Sequence, residues 1–249
     1  MKRKGMKRFG TWVGLLLLVF SSAVAQEDAG RKWGVNFQVG GIIPAHPKAG
    51  RNGMLPMGSQ KNQSGLLTKL HFEYYIPQYP LSVKGGYEHE EVNLLGSDVS
   101  FDMKQIMLGG RYYPVPKDWF VQPYLGIDTY WNIGPQEETL RMKASSSQYG
   151  TYTRQGTIRK PLFSGAPVVG VDLYVFSCIA FQVEYGFRMG VGKSTEITSR
   201  STSNPTEYYT THRPFRHSFT VGLKISFPFY FTEDDGSKLI GGILDCIFY

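Results

Sequence analysis

Gly190-Val191-Gly192-Lys193-Ser194-Thr195 is the stretch of this chain that comes nearest to a catalytic signature. A phosphate-binding loop needs a glycine, four residues, then Gly-Lys-Ser/Thr, opening onto a helix whose N-terminus holds the phosphate. Counted back from Gly192, the first glycine belongs where the chain has Phe187, and Gly186 is one place off. No helical pattern follows, so the stretch reads as a strand end entering a loop. The histidines His46, His71, His89, His212 and His217 show no zinc-type spacing with one another or with Cys178 and Cys246. Neither a metal site nor a cofactor is expected. His217 stands beside Ser218, a base next to a nucleophile. Successive strand residues point to opposite faces, so the two do not form a simple dyad.

Such residues act only where a scaffold holds them, and this scaffold alternates. From Phe181 to Met189 every odd position is apolar or aromatic, against Gln182, Glu184, Gly186 and Arg188. Phe219, Val221, Leu223, Ile225 and Phe227 repeat the pattern, as do Trp33, Val35, Phe37 and Val39. Period two is the strand signal. Eight such segments are expected, roughly 32–43, 65–76, 81–93, 101–113, 119–133, 161–176, 178–192 and 213–229. Short connections (77–80, 114–118, around Ser177) alternate with long Ser/Thr/Gly/Asn-rich ones (44–64, 134–160, 193–212). Only the 94–100 connection is short on the long-loop side.

The first 25 residues stand apart. Lys2, Arg3, Lys4, Lys7 and Arg8 precede an apolar run from Trp12 to Phe20, and Ala23-Val24-Ala25 ends in a small-x-small cleavage pattern. This reads as a secretory signal peptide cut between Ala25 and Gln26. Without those five basic residues the formal charge of +7 falls to +2, so the sequence carries no nucleic-acid footprint. No run approaches the ~20 apolar residues of a spanning helix.

The apolar face carries Trp33, Phe37, Phe72, Tyr74, Tyr87, Trp131, Phe181, Tyr185, Phe187, Phe219 and Phe227. So many rings are hard to fit inside a small barrel, which points them toward lipid. Aromatics at segment ends, among them Trp33, Tyr75, Tyr79, Tyr112, Trp119, Trp131, Phe229 and Phe231, suit interfacial girdles. The other face pairs its signs. With Ile76 opposite Leu81, Glu73 falls opposite Lys84 and Lys69 opposite Glu88. His71, Arg111, Asp128, Asp172, Glu184, Arg188 and Lys224 extend this set into a lumen charge network.

With the leader, the alternating strands and the terminal strand His217 to Phe227, the chain resembles the small outer-membrane β-barrels of Gram-negative bacteria, in the OmpA/OmpX-like size class. The resemblance covers about residues 30 to 231. It implies an all-β fold, an eight-stranded antiparallel up-and-down transmembrane barrel over 26–231, in the outer membrane among its lipids. Residues 232–249 depart from the pattern and read as a short periplasmic tail. Cys178 at a periplasmic turn and Cys246 in that tail then lie on one side, and a bond between them is one reading; two separate thiols is the other. A non-catalytic structural or surface-binding role through the long loops is expected, with a protein or glycan partner of unknown identity. The alternatives are a lipid A-modifying enzyme (a deacylase or acyltransferase using His217 or Ser218) and a narrow diffusion pore.

Overall fold

A computed structural model of the 249-residue chain describes residues 31–45, 48–49, 65–94, 100–115, 119–146, 150–192, 194–201 and 207–228. The expected leader with its Ala25–Gln26 cleavage point, the expected 232–249 tail, Phe229, Phe231 and Cys246 lie outside the described residues, and with them the possible Cys178–Cys246 bond. Cys178 itself is buried in the turn between Phe176 and Ile179.

Eight antiparallel strands close a barrel: β1 (Trp33–Pro44), β3 (Gly65–Tyr75), β4 (Leu81–Asn93), β5 (Ser100–Tyr112), β6 (Val121–Asn132), β9 (Phe163–Phe176), β10 (Ile179–Val191) and β13 (Phe215–Phe227). Cross-strand partners, followed from Ile225 through Val35, Phe72, Gly85, Leu108, Thr129, Gly165 and Met189, lead back to β13 at Phe215, ten residues further up the strand. That stagger fixes a strand tilt of roughly 40° and an interior just wide enough for side chains. Glycines relieve the tightest points. A Cβ on Gly170 would sit 2.3 Å from the Tyr124 hydroxyl and 2.6 Å from the Val183 carbonyl, so the bare backbone makes room for that ring.

Two of the expected loops are strands. Residues 134–160 form the hairpin β7 (Glu137–Ser146) and β8 (Gly150–Arg159); residues 193–212 form β11 (Thr195–Ser201) and β12 (Glu207–His212). With the two-residue β2 (Lys48–Ala49) they build a second sheet in the order β2-β12-β11-β8-β7. The order copies the barrel run β1-β13-β10-β9-β6, so five strands of the wall continue upward past the mouth, while β3, β4 and β5 have no such continuation among the described residues. Among the described residues the mouth is therefore lopsided, with a tall wall facing a short one.

The burial pattern is inverted relative to a soluble protein. Trp33, Phe37, Phe72, Tyr87, Leu125, Phe181, Tyr185, Phe219 and Leu223 are exposed on the outside, while Lys69, Glu73, Lys84, Glu88, Arg111 and Lys224 are buried within. Thirteen residues of β13 at this tilt match an apolar band about 25 Å tall. Tyr79 and Trp119 are exposed beside the short turns, as girdle residues should be. Tyr75 is not one of them: it is 3% exposed and points inward.

Candidate functional site: a sealed lumen beneath a tall wall

Period two sends even-numbered residues of β1, β4, β6, β9, β10 and β13 inward, and odd-numbered residues of β3 and β5. Six cations (Lys69, Lys84, Arg111, Arg188, Arg216, Lys224) and six carboxylates (Glu73, Glu88, Glu90, Asp128, Asp172, Glu184) meet there, nearly dry. Their bonds sort into three tiers along the axis.

Nearest the short turns, the Lys224 ammonium donates to Asp172 at 2.5 Å and lies 2.8 Å from Glu73. Tyr113 donates to Glu73 at 2.7 Å and its oxygen lies 3.2 Å from Asp172, and the hydroxyls of Tyr75 and Tyr174 share a bond of 3.2 Å. In the middle, Glu184 accepts from Lys69 at 2.9 Å, Lys84 at 3.3 Å, Arg111 at 2.7 Å and Tyr124 at 3.0 Å. Lys84 also reaches Asp128 at 2.8 Å, Arg111 reaches Glu73 at 2.9 Å, and His71 lies 3.5 Å from Arg111. Toward the mouth, Arg188 pairs with Glu88 and donates to Glu90 at 3.1 Å, while Arg216 lies 2.6 Å from Glu90. The Arg188 guanidinium also stacks 3.9 Å from the Tyr130 ring centre.

The register across β3 and β4 does set Lys69 opposite Glu88 and Glu73 opposite Lys84. Ion pairing follows a different rule. Lys69 is 3.9 Å from Glu88 but 2.9 Å from Glu184 on the opposite wall. Lys84 likewise takes Asp128 and Glu184. In so narrow an interior, long side chains standing perpendicular to the sheet meet across the axis sooner than beside it.

Sequence reasoning missed three things inside the lumen. Glu90 and Arg216 share the inward parity of Glu88 and Lys224, and that parity alone would have found them. Large rings do fit: Tyr75, Tyr113, Tyr124, Tyr130 and Tyr174 are all buried inward. A tyrosine brings its own hydroxyl to a carboxylate, so it serves a polar interior as phenylalanine cannot.

Apolar side chains interleave with the uppermost charges and continue past them toward the mouth. Ile42, Leu67, Val92, Leu94, Phe101, Met103 and Ile158 are buried at the mouth, Ile158 coming from the base of the tall wall. Leu67 and Met103 are the cross-strand partners of Glu90, Val92 and Phe101 lie two residues nearer the mouth, and tyrosines line the opposite end.

His217 and Ser218 point apart. His217 is exposed on the outer surface, where its Nδ1 shares a 2.8 Å bond with the Tyr185 hydroxyl and its ring lies 4.9 Å from that of Phe187. Ser218 is buried inside and donates to the Gly186 carbonyl at 3.2 Å. Lys193 lies outside the described residues, and Gly192 has a φ of +142° at the β10–β11 junction. No helix follows it, as its neighbours enter β11. Among the described residues no group of His, Cys, Asp and Glu could hold a metal ion.

His212, the last residue of β12, is 2% exposed, and neither of its ring nitrogens has a hydrogen-bond partner among the described residues. Burial pushes its pKa down to about 4. It lines a cavity of about 20 Å³ between the tall wall and the short one.

A closed cylinder, apolar outside and filled with countercharged groups, is a small outer-membrane β-barrel of the kind Gram-negative bacteria carry, and the chain is a protein of that membrane. No protein-family model and no curated protein matches the chain. Among solved structures, it is similar to Neisserial surface protein A, at 14% identity over 78% of this chain and 97% of the other with a TM-score of 0.44. It is similar to the outer membrane protein OprG from Pseudomonas aeruginosa, at 13% identity over 80% and 96% with a TM-score of 0.44. It is similar also to outer membrane protein AlkL, at 11% identity over 84% and 96% with a TM-score of 0.40.

Proposed function

We propose that this barrel is a non-catalytic surface protein that binds an extracellular partner through the sheet above its mouth. One observation carries the reading: five of the eight strands rise beyond the membrane as an ordered sheet, while the lumen beneath is filled. A filled barrel can pass little, so what it offers is a rigid stalk. Sites on strands hold their geometry better than sites on loops. The sheet also ends in β7, a ten-residue strand with no partner on its outer edge among the described residues. Such an edge presents a row of backbone donors and acceptors to an extended chain.

The test compares the full-length protein, refolded in micelles, with a variant whose 137–159 and 195–212 hairpins are replaced by tight turns. Both are applied to a glycan array and a peptide array, and both are incubated with purified lipid A. The reading expects array signals that vanish with the hairpins, and no acyl chain released or transferred. Acyl release that disappears on His217→Ala or Ser218→Ala would establish the enzyme reading instead.

A further inference from the structure

The tall wall meets the barrel along one line of breaks, each marked by proline or glycine. Pro44 ends β1, Gly134-Pro135 separates β6 from β7, and Pro161 separates β8 from β9. Gly192 separates β10 from β11, and Pro214 separates β12 from β13. The breaks share a level. The Asn132 N–H donates to the Leu162 carbonyl at 2.9 Å below them, and the Lys160 N–H donates to the Gln136 carbonyl at 2.7 Å above them. Gly134-Pro135 and Pro161 lie between those two bonds. A Cβ on Gly190 would fall 2.7 Å from the Pro214 ring and 2.9 Å from the Pro161 ring, so both rings pack on one spot. A proline donates nothing to a ladder, and Gly192 holds a φ of +142° that other residues rarely adopt. A wall interrupted at the same height in every strand bends there most easily, since a few terminal residues absorb the change in φ and ψ.

His212 sits on this line. Pro44, Pro161 and Pro214 line the same cavity of about 20 Å³ as His212, with Val92, Leu94 and Phe101 of the short wall across from them. The ring is buried and neither nitrogen has a partner among the described residues. The space admits about one water molecule, whereas an imidazolium brings two N–H donors and a charge. Among the described residues no carboxylate lines the cavity; its charged members are Arg159, Arg213 and Arg216. The nearby carboxylates are engaged elsewhere. Glu137 and Glu196 hold Arg159 at 3.2 and 3.7 Å, and Glu90 holds Arg216 at 2.6 Å. Glu138 holds Lys160 at 3.0 Å, and the Lys160 ammonium lies 5.7 Å from the Phe101 ring on the short wall. The closed arrangement thus accepts a neutral His212 and has nowhere to put a charged one, and burial lowers its pKa to about 4.

We propose that the tall wall is a rigid sheet hinged on this proline and glycine line, resting against the short wall while His212 is neutral and swinging away from it when His212 takes up a proton. The swing admits water to the ring and leaves the five strands above the hinge paired as they are. It adds a control by acidity to the sheet that the surface-binding reading uses, and it needs no partner to operate.

The test measures distances between spin labels in the full-length protein in micelles, with Cys178→Ser and Cys246→Ser as background. One pair, Leu66→Cys on β3 and Thr157→Cys on β8, spans the mouth; a second, Thr139→Cys on β7 and Thr211→Cys on β12, stays within the wall. Between pH 7 and pH 4 the first pair should gain a longer distance, its ratio to the short one rising about 100-fold, the span set by a histidine near ~6.5 when exposed and about 4 when enclosed. The second pair should keep its distance throughout. His212→Leu and His212→Asn should each hold the first pair at its pH 7 distance. Three results overturn the proposal. The first pair does not lengthen at pH 4; or the second pair spreads along with it, which is melting and not a hinge; or the lengthening survives both His212 variants, which assigns it to the carboxylates on Arg159, Lys160 and Arg216. Failure of the hinge leaves an array signal, and so the surface-binding reading, standing. Silent arrays beside a wall that moves count against that reading and not against the hinge.

Discussion

Glu184 is the residue on which the lumen turns, because four donors from four different strands converge on its two oxygens. A buried ion pair is not in itself a source of stability, since desolvation offsets much of its attraction. Removing one partner is another matter, because it strands the opposite charge in a dry place. Glu184→Gln leaves Lys69, Lys84 and Arg111 without the carboxylate they share. It is expected to cost about 3–5 kcal/mol in urea-induced unfolding from micelles. Glu137→Gln, which loosens only the part-exposed Arg159, should cost under about 1 kcal/mol. Equal losses would mean that the network does not act as a unit. His212 poses the opposite problem, a base kept neutral. Its folded pKa of about 4 lies below the ~6.5 of an exposed histidine. As pH falls below about 6.5, the opened state takes up a proton that the closed state refuses. Stability at the base of the tall wall is therefore fully present at neutral pH, falls progressively toward pH 4, and levels off below it. The whole change amounts to about 3 kcal/mol. Amide protection in β11 and β12, corrected for intrinsic exchange, should decline over that window, and His212→Leu should flatten the decline.

At the level of elements, the barrel strands were legible and the sheet above them was not, for one physical reason. A barrel strand separates lipid from lumen, so its two faces must differ, and alternation is written into every one of them. The segment expected over 81–93 is β4 to the residue, and 65–76 differs from β3 by one position. β7, β8, β11 and β12 divide no such pair of environments. Ala144 to Gly156 is dense in Ser, Thr, Tyr and Gln, so period two has nothing to mark, although the backbone pairs in register from Glu137↔Arg159 to Ser146↔Gly150. Composition suggested loops, and hydrogen bonding made strands. This hairpin extends β6 and β9 rather than pairing with them: ten of its pairs are internal and six more join β8 to β11. Replacing 137–159 with a tight turn should therefore leave the barrel intact. The truncated protein should keep the difference in gel mobility between heated and unheated samples that marks a folded barrel, and lose only strand signal in proportion to its length. A truncated chain that fails to refold would show that the tall wall helps close the barrel below it.

At the scale of the whole molecule, what matters is which solvent each surface was built to meet. Hydrocarbon lies outside, countercharges lie within, and apolar side chains interleave with the charges nearest the mouth, so water is kept from the axis. The charge network alone would not do this. Six cations and six carboxylates in a tube invite hydration unless something excludes it, and that falls to the apolar side chains packed around and above Glu90, Leu67, Met103 and Phe101 among them, together with the tyrosines at the far end. The barrel is thus expected to conduct no ions when inserted into a planar bilayer. Opening it should require a breach at both ends. Leu67→Ser with Met103→Ser opens the apolar packing on both sides of Glu90, and Tyr75→Ala with Tyr113→Ala opens the lower end. Either pair alone should leave the bilayer silent, and the four changes together should give small, salt-dependent current steps. Conductance from the unaltered protein would show that the lumen reorganises in lipid, and that the narrow diffusion pore is the better account of the fold.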